Sequence, residues 1–471
     1  MAPSENQRKV KIGLLGSGTV GEAIQDFFFS GDVNRQIGDD IGLEIVKIYT
    51  PHPKKKKWYP SHTSVFTTKP FEVIEHPEVE IIVEVLGCLE EEHLSTFRDY
   101  IIRAFRQGKA VVTSDKAVLA RFGKEIWDAA EQYRRELRFE ASVGGGIPVI
   151  RSLTDGFAVE EPEAIYGIIN GTCNYILSEM GKSGKSYEEA LREAQLLGYA
   201  ETNAKSDTTG VDAEAKLILL AAVTFGLHVK PGELCRKGIE EVQAIDFLYA
   251  DKKGHATIKY LAIAANEGGA IQAYVSPVLV PQEHFLSAID GPTNAIFFKG
   301  RRSGEQNDGS QKQSRDWNYV FVGPGAGGNS TAVAVLGDVV ELARKRLHTP
   351  AGPRSLVRPG VLSLQLGDHI GARFYVRFVV KDRAGIVGDI CQTLGKAGIN
   401  ISEVWQLGHG RDELQGLVQK HRLQRDHQEI LPFVITLERT TTGQLKNALG
   451  VISRKDYILV EPFALPIWSV K

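Results

Sequence analysis

VKIGLLGSGTVGEAIQDFFF (Val10–Phe29) decides the fold of the first third of the chain. Val10–Leu15 is a short apolar run of the kind a buried strand carries. It passes directly into Gly16-Ser17-Gly18-Thr19-Val20-Gly21 and then into Glu22–Phe29, a helical pattern. The glycines permit a tight turn and close backbone approach, and the helix start offers N–H donors to an anion. A strand–GxGxxG–helix passage points to a dinucleotide gripped at its pyrophosphate by Gly16, Gly18, Thr19, Val20 and Gly21.

Working outward, further strands are expected at Leu43–Tyr49, Ile81–Leu86, Ala110–Thr113 and Arg138–Ala141, with helices near His93–Gln107 and Lys116–Arg135. That alternation predicts an α/β fold, a Rossmann-type doubly wound parallel sheet over residues 1–143. The second strand ends Ile48-Tyr49-Thr50-Pro51 without the acid that would hold a ribose 2′-OH, and Lys54-Lys55-Lys56-Lys57 follows. This tilts the cofactor toward NADP over NAD; a solvated lysine run is the plainer alternative. Lys116 stands at the carboxyl end of a parallel strand, where ligands of such sheets bind. Glu140-Ala-Ser-Val143-Gly144-Gly145-Gly146-Ile147 combines one carboxylate with a carbonyl-rich loop. It suits either a monovalent cation or a tight domain-crossing turn.

The bulk numbers set limits. The chain has 471 residues, enough for about three domains. Its net charge of −2 argues against phosphate-dominated nucleic-acid binding. The cysteines (Cys88, Cys173, Cys235, Cys391) are scattered, without CxxC or zinc spacing, as in a reducing cytoplasm. The polar start is not a signal peptide, and no apolar run approaches membrane-spanning length, so a cytoplasmic location without membrane contact is expected.

The middle of the chain, residues 144–322, reads as an α+β substrate and dimerisation domain. Ile165–Ile169 is strand-like and meets Asn170-Gly-Thr172-Cys173, which opens a helix; amides and the Thr172 hydroxyl there suit a carboxylate. Cys173 has no histidine nearby and reads as a small buried residue rather than a nucleophile. GYAETNAKSDTTGVDAEAKLILL (Gly198–Leu220) places Glu201 and Asp207 in a polar loop that feeds a helix bearing Asp212 and Lys216. The latter two share one face at i,i+4. This is a candidate cage for a small zwitterion, or a solvated loop with an ordinary ion pair. Thr257–Ala265 and Ile271–Pro277 read as an antiparallel pair, and the polar stretch 300–316 as an extended hairpin tip. Gly323-Pro-Gly325-Ala-Gly327-Gly328 leads into a long helix, so that residues 323–348 return to the nucleotide domain. Residues 349–371 read as a linker, and residues 372–471 as a β-α-β-β-α-β module of ferredoxin-like order.

These motifs together resemble homoserine dehydrogenase with a C-terminal ACT regulatory domain. The resemblance rests on GLLGSGTVG (Gly13–Gly21), VVTSDKAVLA (Val111–Ala120), EASVGGGIPVI (Glu140–Ile150), NGTCNYIL (Asn170–Leu177), GYAETNAKSDTTGVDAEAK (Gly198–Lys216) and GPGAGGNSTAVAVLGD (Gly323–Asp338). DRAGIVGDICQTLGKAGINI (Asp382–Ile401) carries the ACT likeness. The family resemblance implies NAD(P)-dependent interconversion of L-homoserine and L-aspartate 4-semialdehyde, toward threonine and methionine. It implies Lys216 as acid/base, Lys116 at the cofactor and reacting centre, and Glu201, Asp207 and Asp212 around the substrate amino group. It further implies a sodium ion held by Glu140, Val143, Gly145 and Ile147, cofactor contact at Gly327, and an amino-acid effector near Asp382–Gly388. A homodimer or homotetramer is implied as well. The chain departs from the family pattern at Ser114-Asp115, at Gly328-Asn329-Ser330 and in the 300–316 stretch.

Overall fold

The computed structural model describes residues 9–38, 41–87, 90–302, 315–348, 357, 363–365, 367–407, 418–421, 423 and 429–468. Cys88, nearly all of the polar stretch 300–316 and most of the linker 349–371 lie outside them. The chain divides into two units. One comprises residues 1–160, 218–231 and 321–361; the other 161–217, 232–320 and 362–471.

The first unit is built on β1 (Lys9–Leu15), β2 (Gly42–Tyr49), β3 (Phe66–Thr67), β4 (Ile81–Glu84), β5 (Ala110–Thr113) and β6 (Leu137–Arg138), in spatial order β3-β2-β1-β4-β5-β6. Every pairing is parallel. Order reverses beside β1, which creates the crevice where doubly wound sheets take nucleotides. The strands are mostly apolar because helices cover both faces; these include α1 (Thr19–Phe29), α2 (Glu91–Arg106) and α3 (Lys116–Gln132). Val10, Ile12, Ile81 and Val112 are fully buried in this core with Val335 and Val339 of the late helix Gly328–His348.

One expected strand is shorter than its sequence suggests. Arg138–Ala141 pairs only through Arg138, and Glu140–Ser142 turns into a single 3-10 turn. The cause is local. The Glu140 amide donates to Asp338 (2.9 Å), and the Glu140 carboxylate accepts the amides of Ile150 and Arg151 (2.8 Å each). Those bonds pull the chain off the ladder.

The second unit holds one mixed eleven-stranded sheet. Its strands are β7 (Glu161–Ile168), β8 (Cys235–Arg236), β9 (Ala256–Glu267), β10 (Ala270–Pro281), β11 (Thr293–Arg302), β12 (Arg315–Pro324), β13 (Ser363–Gln365), β14 (Gly371–Lys381), β15 (Ile401–Trp405), β16 (Ile430–Thr441) and β17 (Ile458–Ile467). The expected pair β9–β10 forms in antiparallel register and is twelve residues long on each side. The helices include α4 (Gly171–Ser183), α5 (Val211–Phe225, whose residues from Ile218 on belong to the first unit) and α6 (Ala244–Gly254), then α7 (Gly328–His348) in the first unit, and α8 (Ile386–Lys396) and α9 (Thr442–Ile452). Helix α5 is apolar nearly all round from Leu217 to Val223, the pattern of a helix buried on every side.

Among the described residues from 371 on, the strands and helices run β14, α8, β15, β16, α9, β17, with strands ordered β17-β14-β16-β15. Phe378, Phe433, Ile390 and Ile452 are fully buried in their core. This module also continues the sheet of the substrate region. Leu279 of β10 pairs with Ile467 of β17, and the Trp468 amide donates to the Leu279 carbonyl (2.9 Å). Behind the seam Asp246 of α6 receives Arg377 and Tyr375 of β14, all three fully buried.

Candidate active site

The nucleotide half is built from backbone. Gly16 adopts φ +111°, and a Cβ there would stand 2.6 Å from the Val85 carbonyl oxygen. A Cβ on Gly21 would stand 2.4 Å from the Gly16 carbonyl oxygen, so helix and turn meet only because both residues are glycine. A Cβ on Gly18 would meet nothing within 4 Å. Gly18 is also the N-cap of α1 and supplies no side-chain cap, which leaves the amides at Thr19 and Val20 aimed at open space. That space is a cavity of about 630 Å³ bounded by Gly18, Thr19, Glu22, Lys56, Gly328 and Asn329. Gly327, at φ +128°, sits just before α7, and its carbonyl accepts Ser330 Oγ (3.1 Å).

The lysine run behaves differently from a free cationic patch. Lys56 pairs with Glu22 (3.0 Å), while Lys57 and the Trp58 indole both reach Asp26 (2.7 Å each). The cations therefore arrive at the cofactor crevice partly neutralised by α1.

Lys116 is the first residue of α3, three residues past the end of β5. Asp115 caps that helix by accepting the amides of Ala117 (3.0 Å) and Val118 (3.2 Å), which fixes where Lys116 leaves the backbone. Beside it Glu84, an acid ending an otherwise apolar strand, is fully buried and accepts Thr113 Oγ1 and the Leu86 amide. Burial, then the Asp115 charge, push Glu84 up to about 8. Glu140 is likewise buried, and desolvation with Asp338 raises it to about 7. The Ile147 carbonyl accepts the Val149 amide (2.8 Å), and Gly145 takes φ +55° in the same loop as Val143. Among the described residues no group of three or more His, Cys, Asp or Glu side chains is placed to hold a metal ion.

The second candidate cluster, in the other unit, is built from side chains. Lys216 Nζ donates to Asp212 Oδ2 (2.7 Å) and to the Ile169 carbonyl (2.8 Å). Asn170 Nδ2 donates to Asp207 Oδ1 (2.8 Å) and Asp212 Oδ2 (2.9 Å), while its Oδ1 caps α4 through the Cys173 amide (2.8 Å). Asn170, Asp212 and Lys216 are at most 9% exposed and Asp207 is half-buried, so a cation, two carboxylates and an amide share one site that is dry on its Lys216 side. Gly210 makes the approach possible: at φ +83°, a Cβ would lie 2.0 Å from Tyr260 Oη. Cys173 is buried, with its thiol raised well above its usual range by burial and then by Asp207 and Asp212; it is no nucleophile here.

The structure thus brings Asp207, Asp212 and Lys216 together and adds Asn170, a residue the sequence reading quoted but gave no role. Its signal was an Asn between a strand and a helix, the N-cap position. Thr172 turns elsewhere, donating to the Tyr199 carbonyl (2.6 Å). Glu201 is exposed, and its carbonyl accepts Gln195 Nε2 (3.2 Å). Among the described residues, no hydrogen bond ties either to the Asn170 cluster.

The family model for the NAD-binding domain of homoserine dehydrogenase matches residues 16–140, and that for homoserine dehydrogenase matches residues 148–340. A homoserine dehydrogenase of Bacillus subtilis is 33% identical over 439 residues, covering 92% of this chain and 96% of its own. One from Synechocystis is 32% identical, covering 94% and 100%. The crystal structure of a homoserine dehydrogenase from Thiobacillus denitrificans superposes with a TM-score of 0.81 at 28% identity, covering 98% and 99%. Helix-terminal amides facing a nucleotide-sized crevice and a buried Lys–Asp–Asn–Asp cluster are thus housed in a chain that belongs to the homoserine dehydrogenase family of NAD(P)-dependent oxidoreductases.

Proposed function

We propose that the chain interconverts L-homoserine and L-aspartate 4-semialdehyde, and that the buried Asn170–Asp207–Asp212–Lys216 cluster grips the amino acid. The observation that carries the proposal is Lys216 Nζ, held 2.7 Å from Asp212 at the mouth of α4. The nicotinamide supplies or accepts the hydride at the substrate's terminal carbon. Reduction of an aldehyde builds negative charge on oxygen, which the Lys216 ammonium stabilises and to which it gives a proton. Asp212 orients that ammonium, Lys116 serves the cofactor and reacting centre, and Asp207, Asp212 and Glu201 receive the substrate amino group. The α4 amides are proposed for its carboxylate, with Thr172 joining them if its hydroxyl leaves the Tyr199 carbonyl.

NADP is preferred in this proposal because β2 ends without an acid, although Glu22 and Asp26 moderate the lysine run. Glu140, with backbone carbonyls of Val143, Gly145 and Ile147, suits a sodium ion: a buried carboxylate raised to about 7 gains from a cation. Residues 372–471 serve as an ACT module whose effector, an amino acid, binds near Asp382–Gly388; the β-α-β-β-α-β order supports this. Assembly as a homodimer or homotetramer in the cytoplasm completes the reading, and sedimentation of the purified chain tests its size.

The deciding experiment follows NADPH oxidation with aspartate semialdehyde beside other small aldehydes. Turnover confined to aspartate semialdehyde is expected, and equal turnover of an aldehyde lacking the amino group would overturn the assignment. Activity titrated against a panel of amino acids then tests the effector.

A further inference from the structure

We propose that the substrate unit carries a second small-molecule site, a cavity among the 235–237 segment, β10, α9 and β17, that takes a small monocarboxylate with an apolar body. The cavity measures about 370 Å³, within the range of small-ligand sites. Phe374, Leu445 and Leu449 are among its apolar walls, and Lys237, Lys446 and Glu461 are its charged lining.

Lys237 is the group that specifies the ligand. Its Nζ donates to the Ala464 carbonyl (2.7 Å) and lies 4.0 Å from the centre of the Phe463 ring. Among the described residues no carboxylate lies within ion-pair distance of it. Asp246, the nearest buried acid, is already committed to Arg377 and Tyr375. Desolvation, and next the Arg377 charge from β14, lower Lys237 to about 8, with Asp246 and Glu241 acting weakly the other way. A half-buried ammonium with no ion-pair partner, in a chamber where Lys237 and Lys446 outnumber Glu461, is complemented by a carboxylate. Lys446 from α9 adds a second cation, and both lysines act on Cys235 in the same wall. An apolar body then fills the space under Phe374, Leu445 and Leu449.

This site is distinct from the proposed effector position near Asp382–Gly388. Phe374 is near the start of β14 and Asp382 just past its end, so at about 3.3 Å per strand residue the two are roughly 25 Å apart. The segment that carries Lys237 also reaches the substrate cluster. Lys237 N donates to Val275 O (2.9 Å), Ile239 N donates to Thr208 O (2.9 Å), and Thr208 Oγ1 donates to Glu240 Oε1 (3.0 Å). Asp207 is the next residue. Occupancy of the cavity is therefore expected to change the KM for the aldehyde more than kcat.

The test is calorimetric titration of the full chain with leucine, 4-methyl-2-oxovalerate and 4-methylvalerate, which share an isobutyl body and a carboxylate, and with isoamyl alcohol, which lacks the carboxylate. At least one acid should bind, the alcohol should not, and Lys237→Met should weaken binding about tenfold or more. Leu449→Trp, which fills the chamber, should abolish binding with unchanged basal turnover; a thermal melt of each variant checks folding. Comparison of the three acids tells whether an amino, oxo or unsubstituted α-carbon is preferred. No heat from any acid, or equal binding in both variants, would overturn the site. Direct binding stands apart from the dehydrogenase reading, whereas the KM shift rests on it; binding without a KM shift would remove only the coupling.

Discussion

The nucleotide crevice of the first unit and the Asn170–Lys216 cluster of the second are made by opposite means. Around Gly16–Gly21 the chain removes side chains so that backbone can come close to the crevice; around Asn170–Lys216 it crowds charged side chains into a mostly buried knot. The first strategy suits a long polyanion recognised by shape and dipole. The second suits a small zwitterion whose charges must be met singly in a low dielectric. A backbone site tolerates changes that keep the turn, while a side-chain knot fails when one member is removed, because its partners are left buried and unmatched.

The comparison can be broken at its strongest point first. Lys216→Ala should reduce kcat by about 10²–10⁴-fold while dinucleotide affinity, read by fluorescence titration, stays within a few-fold. Unchanged turnover would remove Lys216 from the chemistry. Next, Gly21→Ala should weaken the dinucleotide roughly ten- to a hundredfold, since its Cβ presses on the Gly16 carbonyl. Gly18→Ala sharpens the point: its Cβ meets open space, so the melting temperature should hold while affinity falls. Equal affinity for both would mean that the pyrophosphate does not cross Gly18.

Asn170→Ala should cost about 1–3 kcal/mol by leaving Asp207 and Asp212 without their shared donor. It should raise the substrate KM more than the cofactor KM, and a uniform effect on both would break the separation of the halves. The smallest expected effect is on pH. Glu84 is raised from 4.5 to about 8, so the folded protein holds that proton more tightly than the unfolded chain. Its contribution is full below about pH 4.5 and is lost as pH rises through 8. Melting temperatures taken from pH 5 to 8 should fall less steeply in Glu84→Gln than in the parent, and parallel slopes would count against the assignment.

What the sequence revealed follows the same divide. The nucleotide sheet was readable because glycine spacing and apolar runs are local signals; the expected strand at Ala110–Thr113 matches β5 at both ends. Arg138–Ala141 failed because the bonds that divert it come from Ile150, Arg151 and Asp338, far along the chain. Asp212 and Lys216 were visible as an i,i+4 pair, but the junction with Asn170 spans 42 residues and has no periodicity to announce it. Thr172 looked suited to a carboxylate from its place at a helix start, yet its hydroxyl is spent on Tyr199. The joining of β17 to β10 was equally hidden, since an edge-to-edge pairing leaves no mark in either strand.

That seam has a consequence for how the protein is made. β10 emerges from the ribosome long before its neighbour β17; the Lys237–Ala464 contact beside them closes over 227 residues. Leu279 and Ile467 pair across the seam, and at about 5–20 residues per second the wait between them is roughly 10–40 s, during which part of an apolar strand's edge is unpaired. The sheet behind the substrate site is thus completed late in translation, and a nascent chain stalled after residue 281 should be a better chaperone client than one released with β17 in place.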